Sequence, residues 1–272
     1  MNKIRKIVQF WNKYGPYALV AGGSNGLGAA FAESLARRGM NLILMARGKE
    51  QLETTAGRLR EKYSIDVITA AADLADFEKV KNFIINIVSA GDSKISIGLL
   101  VYNAAFAPIG LFENTSEEQL ALAAAVNVRT PLLLSKFLSD QMIQNKRGGI
   151  ILMSSLAGGQ GSPKLASYAA TKSFNAVLAE GLWKELKPRG VDVIGCCAGA
   201  ILTPGYQQAE KKNPAPGTMT ANDVAEQTIS ALGKCPVIIP GAVNKIGRFI
   251  LTRILPRKAA INLMSNNTKN LS

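Results

Sequence analysis

Short apolar runs alternate along the chain with longer segments in which apolar residues recur at helical spacing. The apolar runs predict strands over 17–22, 41–46, 66–71, 97–102, 149–153, 191–196 and 236–239. The periodic segments predict helices over 29–38, 49–63, 76–90, 119–142, 168–187 and 224–232. Strands that are apolar along their whole length are buried on both faces, and helices between them make parallel crossovers.

The number of strand–helix units decides between the two common parallel architectures. A barrel needs eight units, and the pattern provides six or seven. The sequence therefore predicts an α/β fold with a single Rossmann-like, doubly wound parallel sheet of six to seven strands flanked by helices. No internal repeat or linker divides the chain, so we expect one domain covering 1–272.

Two basic segments extend this domain, a helix over 1–15 and an amphipathic tail over 241–272. No acidic residue occurs after Glu226. The tail carries apolar residues at helical spacing, namely Val243, Ile246, Ile250 and Ile254. Such segments can lie on anionic lipid, so one alternative is a peripheral contact with the inner face of a membrane. The other is packing on the domain or on a second subunit.

Charge and rare residues exclude several classes of protein. The chain has 32 Lys+Arg against 19 Asp+Glu, a net charge of +13, and no histidine. The missing histidine excludes Ser-His-Asp and Cys-His catalysis and His-ligated metals, and three cysteines are too few for a four-thiolate zinc site. We therefore predict no metal site. No aromatic-basic platform or helix-turn-helix pattern accompanies the positive charge, so we predict no nucleic-acid partner.

The sequence favours a cytoplasmic location. The basic start lacks the apolar core of a secretory signal, and the longest uncharged stretches are interrupted by Gly and Pro, which argues against a membrane-spanning helix. Cys196 and Cys197 are neighbours and poor disulfide partners. A reducing compartment fits this cysteine usage.

A glycine-rich loop with the sequence GGSNGLG lies at 22–28, between the first predicted strand and helix. Glycines let a backbone turn tightly and approach a phosphate, and the following helix N-terminus supplies free N–H groups. The spacing differs from the usual G-x-G-x-x-G fingerprint, and a turn without a ligand is the alternative. Its position after the first strand favours dinucleotide binding.

The end of the second predicted strand indicates which dinucleotide is bound. An NAD site places a carboxylate there, whereas this strand ends in Met45, Ala46 and Arg47. A guanidinium matches a 2′-phosphate in charge and geometry, and Ser24 and Asn25 could add hydrogen bonds to it. We therefore expect NADP(H) rather than NAD(H), the alternative being a solvated arginine.

A Y-x-x-x-K motif at Tyr168 and Lys172 begins the helix after the fifth strand, with Ser155 13 residues upstream near that strand's carboxyl end. Ligands of doubly wound sheets bind at those ends. Residues four apart share a helix face, so the Lys172 ammonium can lie near the phenol and lower its pKa. In a protein without histidine, Tyr168 is then the best candidate proton donor.

Taken in order, these motifs resemble those of the short-chain dehydrogenase/reductase family. The resemblance covers about residues 16–240 and rests on AGGSNGLG at 21–28, Asp73-Leu74, YNAA at 102–105, Asn127, SSLAG at 154–158, YAATK at 168–172 and AGAILT at 198–203. It is strongest to an NADP-dependent branch with 3-ketoacyl reductases and 17β-hydroxysteroid dehydrogenases.

The resemblance implies a role for each matching residue. Asn127, Ser155, Tyr168 and Lys172 would form the catalytic set: Tyr168 protonates the substrate oxygen, Ser155 bonds it, Lys172 tunes Tyr168 and holds the nicotinamide ribose, and Asn127 fixes a water. The remaining cofactor-binding residues would be Gly22, Ser24, Asn25, Gly26, Leu27, Gly28, Arg47, Asp73, Leu74, Asn103, Gly199, Ile201 and Thr203.

Four positions depart from the family pattern. Ala21 replaces a Thr, Tyr102 an Asn, Ala105 a Gly and Ala198 a Pro. None removes a reacting group. The resemblance also implies a homodimer or homotetramer paired through the two long helices, and a lid over 203–219.

The function expected from the sequence is NADPH-dependent reduction of a hydrophobic ketone, or the reverse oxidation, with a 3-oxoacyl thioester or a steroid-like ketone as the substrate class. The alternative is a catalytically inactive nucleotide-binding module that recruits a membrane or acidic partners through its basic ends.

Overall fold

The computed structural model describes residues 3–89, 95–203 and 215–268. The strands are β1 Tyr17–Ala21, β2 Asn41–Ala46, β3 Val67–Ala71, β4 Ile97–Tyr102, β5 Gly148–Ser155, β6 Val191–Ala198, β7 Ile201–Leu202, β8 Met219–Thr220 and β9 Val237–Ile238. The helices are α1 Lys3–Tyr14, α2 Gly26–Ala36, α3 Lys49–Tyr63, α4 Phe77–Ser89, α5 Glu117–Ala124, α6 Thr130–Gln144, α7 Ala166–Leu186, α8 Ala221–Ala231, α9 Ala242–Phe249 and α10 Arg257–Thr268.

Seven strands form one parallel sheet in the order β3-β2-β1-β4-β5-β6-β9. This is the predicted doubly wound architecture, and the strand order reverses between β1 and β4. The short strands β7 and β8 pair with each other outside this sheet.

Helices cover both faces of the sheet because successive side chains of each strand point to opposite sides. Along β1, Ala18 and Val20 join the core beneath α2, α3 and α8, whereas Leu19 joins the core beneath α4, α6 and α7. All five residues of β1 are buried. The continuous apolar runs of the sequence therefore reflect two cores, one on each face.

Several boundaries differ from the predicted ones. Helix α2 begins at Gly26 rather than Ala29, because the Asn25 side chain caps it by accepting a hydrogen bond from the Gly26 N–H at 2.6 Å. Strand β5 continues to Ser155, which places that residue on the strand rather than beyond it. Of the predicted lid, 204–214 lies outside the described residues, while 219–220 forms β8.

The predicted long helix over 119–142 is a helical stretch over 117–144, interrupted by a π-helical turn, Ala125–Arg129. Among the described residues this stretch has the length and mean hydropathy, 1.2, of a membrane-spanning helix. Leu134, Leu138 and Met142 lie in the core beneath the sheet. Burial in the domain thus explains part of its apolar character.

Both basic ends pack on the domain while exposing apolar side chains. Tyr14 at the end of α1 donates a hydrogen bond to buried Asp192 at 2.6 Å, and Ile4 and Val8 on the same helix are exposed. Asn244 of α9 is buried and donates to Gly217 O at 2.9 Å. Contact of their exposed faces with lipid or a second subunit stays a prediction.

Candidate active site

A cavity of about 810 Å³ opens at the carboxyl ends of β1, β2, β4 and β6, beside the point where the strand order reverses. Its volume is in the range of small-molecule and cofactor sites. It is lined by Gly22, Ser24, Asn25, Gly26, Leu27, Ala46, Arg47, Gly48, Gln51, Asp73, Leu74, Asn103, Ala104, Ala105, Phe106, Leu122, Val126, Tyr168, Gly199, Ala200, Ile201 and Thr203. Most predicted cofactor-binding residues are therefore brought together, whereas Gly28 and Lys172 lie behind the lining.

The glycines of the loop allow backbone approaches that side chains would block. Gly22 has φ +84°, and a Cβ there would lie 2.8 Å from Ala104 N. A Cβ on Gly28 would lie 1.8 Å from the Gly22 carbonyl oxygen, so the first turn of α2 packs directly on the loop. Gly28 therefore shapes the glycine loop from behind.

Two side chains hold this loop from other elements. Asn103, after β4, donates to Gly22 O at 3.1 Å, and Thr55 of α3 donates to Ser24 O at 2.9 Å. The Asn103 bond therefore ties the end of β4 to the start of the glycine loop. Sequence reasoning missed Thr55, which lies 31 residues from its partner and has no local signal.

A basic corner of the cavity combines Arg47, Ser24, Asn25 and Gln51. Arg47 is exposed and forms no ion pair in the described part of the chain. The Arg47 guanidinium is therefore available to pair with an anion bound in the cavity. The donors and the charge fit a 2′-phosphate, and the glycine cradle fits a pyrophosphate.

The adenine side of the predicted site lies at the end of β3. Asp73 lines the cavity, and its Oδ1 also accepts a hydrogen bond from Ala75 N at 3.0 Å, so the side chain caps the turn after β3. Buried Leu74 accepts at its carbonyl oxygen from Thr130 at 2.6 Å. This bond fixes the β3 end to α6.

The catalytic side chains converge as predicted. Tyr168 lines the same cavity as the glycine loop, and its hydroxyl is hydrogen-bonded to that of Ser155. The Lys172 Nζ lies 5.5 Å from the Tyr168 ring centroid and donates to Met153 O at 3.0 Å. Ser155 also accepts from Ala157 N at 3.2 Å, which begins the turn Leu156–Gly159.

Burial dominates the electrostatics of this group. Burial raises the pKa of Tyr168, and the hydrogen bond with Ser155, rather than the charge of Lys172, is what opposes this rise. Burial also lowers the pKa of Lys172 to about 8. The expectation that the nearby Lys172 ammonium lowers the pKa of Tyr168 during the reaction stays a prediction.

Asn127 is fully buried in the π-helical turn and binds protein groups. Its amide donates to Phe106 O at 2.7 Å and to Thr171 Oγ1 at 3.1 Å, and its Oδ1 accepts from Phe106 N at 2.8 Å. Asn175 donates to the Asn127 carbonyl oxygen at 3.0 Å. The side chain thus joins Phe106 of the cavity wall to the helix that carries Tyr168 and Lys172.

The loop after β6 supplies the last part of the lining. Gly199, Ile201 and Thr203 all face the cavity. Thr203 lies against Gly26, since a Cβ on that glycine would be 3.2 Å from the Thr203 methyl carbon. The two sides of the crevice therefore meet at this contact.

Some contributors lie at positions that the sequence analysis passed over. Ser154 donates to Lys172 O at 2.7 Å, and Asn175, three residues after Lys172, lies on the same helix face. Tyr102, a departure from the family pattern, donates to Val126 O at 2.6 Å. The i+3 spacing could have identified Asn175, whereas the partner of Tyr102 is apparent only in the fold.

Comparison with known proteins identifies a family and relatives that this chain resembles. The family model described as short chain dehydrogenase matches residues 16–214. The chain is 28% identical over 240 residues to a 7beta-hydroxysteroid dehydrogenase of Clostridium sardiniense, covering 88% of this chain and 90% of that protein. It is 32% identical over 188 residues to a very-long-chain 3-oxoacyl-CoA reductase of Coprinopsis cinerea, covering 68% of this chain and 54% of that protein.

Solved structures extend the likeness to the fold. A 7beta-hydroxysteroid dehydrogenase structure superposes with a TM-score of 0.87 at 26% identity, covering 94% of this chain and 98% of the other. A short-chain dehydrogenase from Sphingobium yanoikuyae in complex with NADPH gives a TM-score of 0.72 at 28% identity, covering 83% and 87%. With the Ser155–Tyr168–Lys172 group beside a dinucleotide-sized crevice, the chain belongs to the short-chain dehydrogenase family, oxidoreductases that act on CH–OH and C=O groups.

Proposed function

We propose that the protein is an NADPH-dependent reductase of a hydrophobic ketone, also able to run the reverse oxidation. The observation that carries the proposal is that Tyr168, which is hydrogen-bonded to Ser155, lines the same cavity as the glycine loop and Arg47. A phenol placed there can serve as general acid toward an oxygen atom bound in the cavity. A module without catalysis has no use for this arrangement, which argues against the alternative function.

The residues of the chain divide the work of this reaction. The glycine loop and the N-terminus of α2 hold the pyrophosphate, and Arg47 with Ser24 and Asn25 holds the 2′-phosphate. When bound, the nicotinamide supplies the hydride that reduces the carbonyl carbon. Tyr168 donates its proton to the carbonyl oxygen, which Ser155 orients. The phenolate left behind is stabilised by the Ser155 hydroxyl and by the nearby Lys172 ammonium.

The NADP preference is tested at Arg47. Arg47→Ala removes the guanidinium, and a charge-assisted hydrogen-bonded contact contributes about 1.5–3 kcal/mol. We expect the Kd for NADPH to rise about 10- to 100-fold, while the Kd for NADH stays unchanged in fluorescence titrations. Lys49→Ala, an exposed neighbour that does not line the cavity, is the matched control. Tighter binding of NADH than NADPH by the unaltered protein would contradict the proposal.

The substrate class rests on the lining and on the relatives. Phe106, Leu122 and Val126 give the cavity an apolar side. The relatives' names point to hydroxysteroids and 3-oxoacyl thioesters. The test is NADPH oxidation with a ketone panel containing both classes, and turnover of neither class would exclude this substrate assignment.

We also propose a homo-oligomer, a dimer or tetramer, formed through α6 and α7. On these helices Val177 is 66% exposed and Leu132 is 40% exposed, so both offer apolar surface that a second subunit could cover. Val177→Glu should then lower the mass measured by analytical ultracentrifugation. A monomeric unaltered protein would contradict this proposal.

A further inference from the structure

A second recess, of about 480 Å³, lies between the turn Leu156–Gly159 and the C-terminal helices. Gly159 lines it on one side. Three basic residues, Lys245, Arg248 and Arg253, line it on the other. The recess is separate from the crevice that holds the glycine loop, and nothing in the proposed mechanism uses it.

The positive charge of this recess is not neutralised by the protein. None of its three basic residues forms an ion pair within the described ranges, and the sequence contains no acidic residue after Glu226. Arg257 adds a further cation at the rim, donating to Gly159 O at 3.0 Å. Basic side chains that converge without carboxylates are arranged to attract an anion.

Buried donors point to the same kind of ligand. Nη1 of Arg248 is buried without a hydrogen-bond partner among the described residues. Gln160, next to Gly159, is 4% exposed, and its Nε2 donor and Oε1 acceptor also lack partners there, although Gln160 does not itself line the recess. Leaving a charged donor buried and unpaired is unfavourable, so a site with an oxygen-rich ligand is more stable than one without.

The recess is connected to the catalytic group by the turn itself. The turn begins after Ser155, and Gly159 is four residues further along. Four residues of chain span at most about 14 Å. Ser173 of α7 donates to Gly158 O, so the turn is fixed to the helix that carries Tyr168 and Lys172. Gly159, at the edge of the recess, therefore lies within the length of one small molecule from Ser155.

We propose that this recess binds the anionic end of the substrate, a carboxylate or a phosphate, while the ketone lies at Tyr168. The proposal rests on the proposed function and narrows it to hydrophobic ketones that carry a remote negative charge. Arg248 is the central binding residue, and Lys245 and Arg253 add electrostatic attraction from the exposed side of the recess.

The test compares matched substrates that differ only in that charge. One pair is a steroid keto acid and its methyl ester, and the other is the 3-oxoacyl thioester of 4′-phosphopantetheine and that of uncharged pantetheine. We expect the unaltered protein to prefer at least one charged member about 10- to 100-fold in kcat/KM, mainly through KM. The pair that shows the preference identifies carboxylate or phosphate.

The variants assign the preference to the recess. Arg248→Gln should remove the preference for the charged substrate, while kcat/KM for the uncharged ketone stays within about twofold of the unaltered protein. Arg248→Lys should keep part of the preference, and the double variant K245Q/R253Q, at two exposed residues, should lower it. Lys258→Gln, an exposed basic residue of α10 outside the recess, should behave as the unaltered protein. Equal losses for charged and uncharged substrates in Arg248→Gln would show a purely structural role and overturn the inference.

A binding measurement separates this inference from the proposed function. Calorimetric titration of the keto acid and its ester into the NADP-saturated protein requires no turnover. Reduction of uncharged ketones without a charge preference overturns the inference and leaves the proposed function intact. Arg248-dependent binding of the keto acid without reduction of any ketone supports the binding site and overturns the reductase function.

Discussion

The two sides of the crevice are built in different ways. On the cofactor side, at the ends of β1 to β4, the shape comes from backbone, with Gly22 and Gly28 in contacts that leave no room for a Cβ. On the catalytic side, at β5 and α7, it comes from buried polar side chains, with Lys172, Asn127 and Asn175 hydrogen-bonded to carbonyl oxygens. Cofactor binding should therefore depend on close approach of the backbone, whereas catalysis should depend on a few polar side chains that are shielded from water.

This difference predicts separable defects. Enlarging a glycine on the cofactor side should damage the fold and cofactor binding together. Removing a polar group on the catalytic side should stop turnover and spare the fold, since a buried charge or hydroxyl placed for chemistry often lowers stability.

The largest expected effect is that of Tyr168→Phe, which removes only the hydroxyl. We expect kcat to fall by about 10²- to 10⁴-fold, the usual contribution of a general acid, with the Kd for NADPH unchanged. Tyr63→Phe, which removes a hydroxyl bonded to Glu33 at 2.9 Å far along α3, should leave kcat unaltered. Steady-state kinetics check both, and substantial activity in Tyr168→Phe would break the comparison.

Gly28→Ala tests the cofactor side. Its Cβ would lie 1.8 Å from Gly22 O, so the loop or α2 must move. We expect a loss of about 3 kcal/mol in the free energy of unfolding, the upper range for overpacking, and weaker NADPH binding. Gly57→Ala, in open space on α3, should be neutral or stabilising by about 0.5–1 kcal/mol. In urea denaturation, the free energy of unfolding should therefore fall in Gly28→Ala and stay the same or rise in Gly57→Ala.

Lys172→Met tests whether the catalytic side lowers stability. Because the pKa of folded Lys172 is about 8, the unfolded chain binds more protons between pH 8 and 10.5, and unfolding free energy rises with pH there. Below pH 8 the buried charge costs about 3 kcal/mol. We expect Lys172→Met to be inactive, more stable at pH 7, and to lack this rise. Urea denaturation of both proteins at pH 7 and 9.5 tests this. A lower free energy of unfolding for Lys172→Met than for the unaltered protein at pH 7 would contradict the prediction.

The smallest expected effect concerns an ion pair that joins α8 to the end of α2, the helix that follows the glycine loop. Glu226 of α8 accepts from Arg38, just after α2, at 2.7 Å, and this contact lowers the pKa of Glu226 to about 2. A carboxylate with a lowered pKa contributes stability above about pH 4.5, and the contribution is lost as the pH falls toward 2. The pair is partly exposed, so we expect Glu226→Gln to cost about 1 kcal/mol at pH 7 and nothing near pH 2.

Thermal unfolding across this pH range checks the ion pair. Glu61→Gln, an exposed carboxylate without an ion pair in the described ranges, should change neither the midpoint nor its pH dependence. A deficit of Glu226→Gln that persists at pH 2 would show that packing, rather than charge, is responsible.

Much of the fold could be predicted from periodicity, because each strand is short, apolar and buried on both faces. The bounds of β2, β4 and α3 agree with prediction to the residue. The start of α2 was missed because Gly26 has φ +53° and is fixed by the Asn25 cap, a contact that apolar spacing does not show. The π-helical turn at Asn127 was missed for a similar reason, since its cause is packing against other elements.

The sequence by itself determined the strand–helix alternation, the glycine loop, the guanidinium at Arg47 and the order of Ser155, Tyr168 and Lys172, because these are local patterns read at fixed spacing. Tertiary structure alone decided which groups are desolvated. Burial raises the pKa of Tyr168, lowers that of Lys172 and leaves Arg248 Nη1 without a partner among the described residues. Desolvation depends on atoms contributed from distant parts of the chain, and no local pattern contains them.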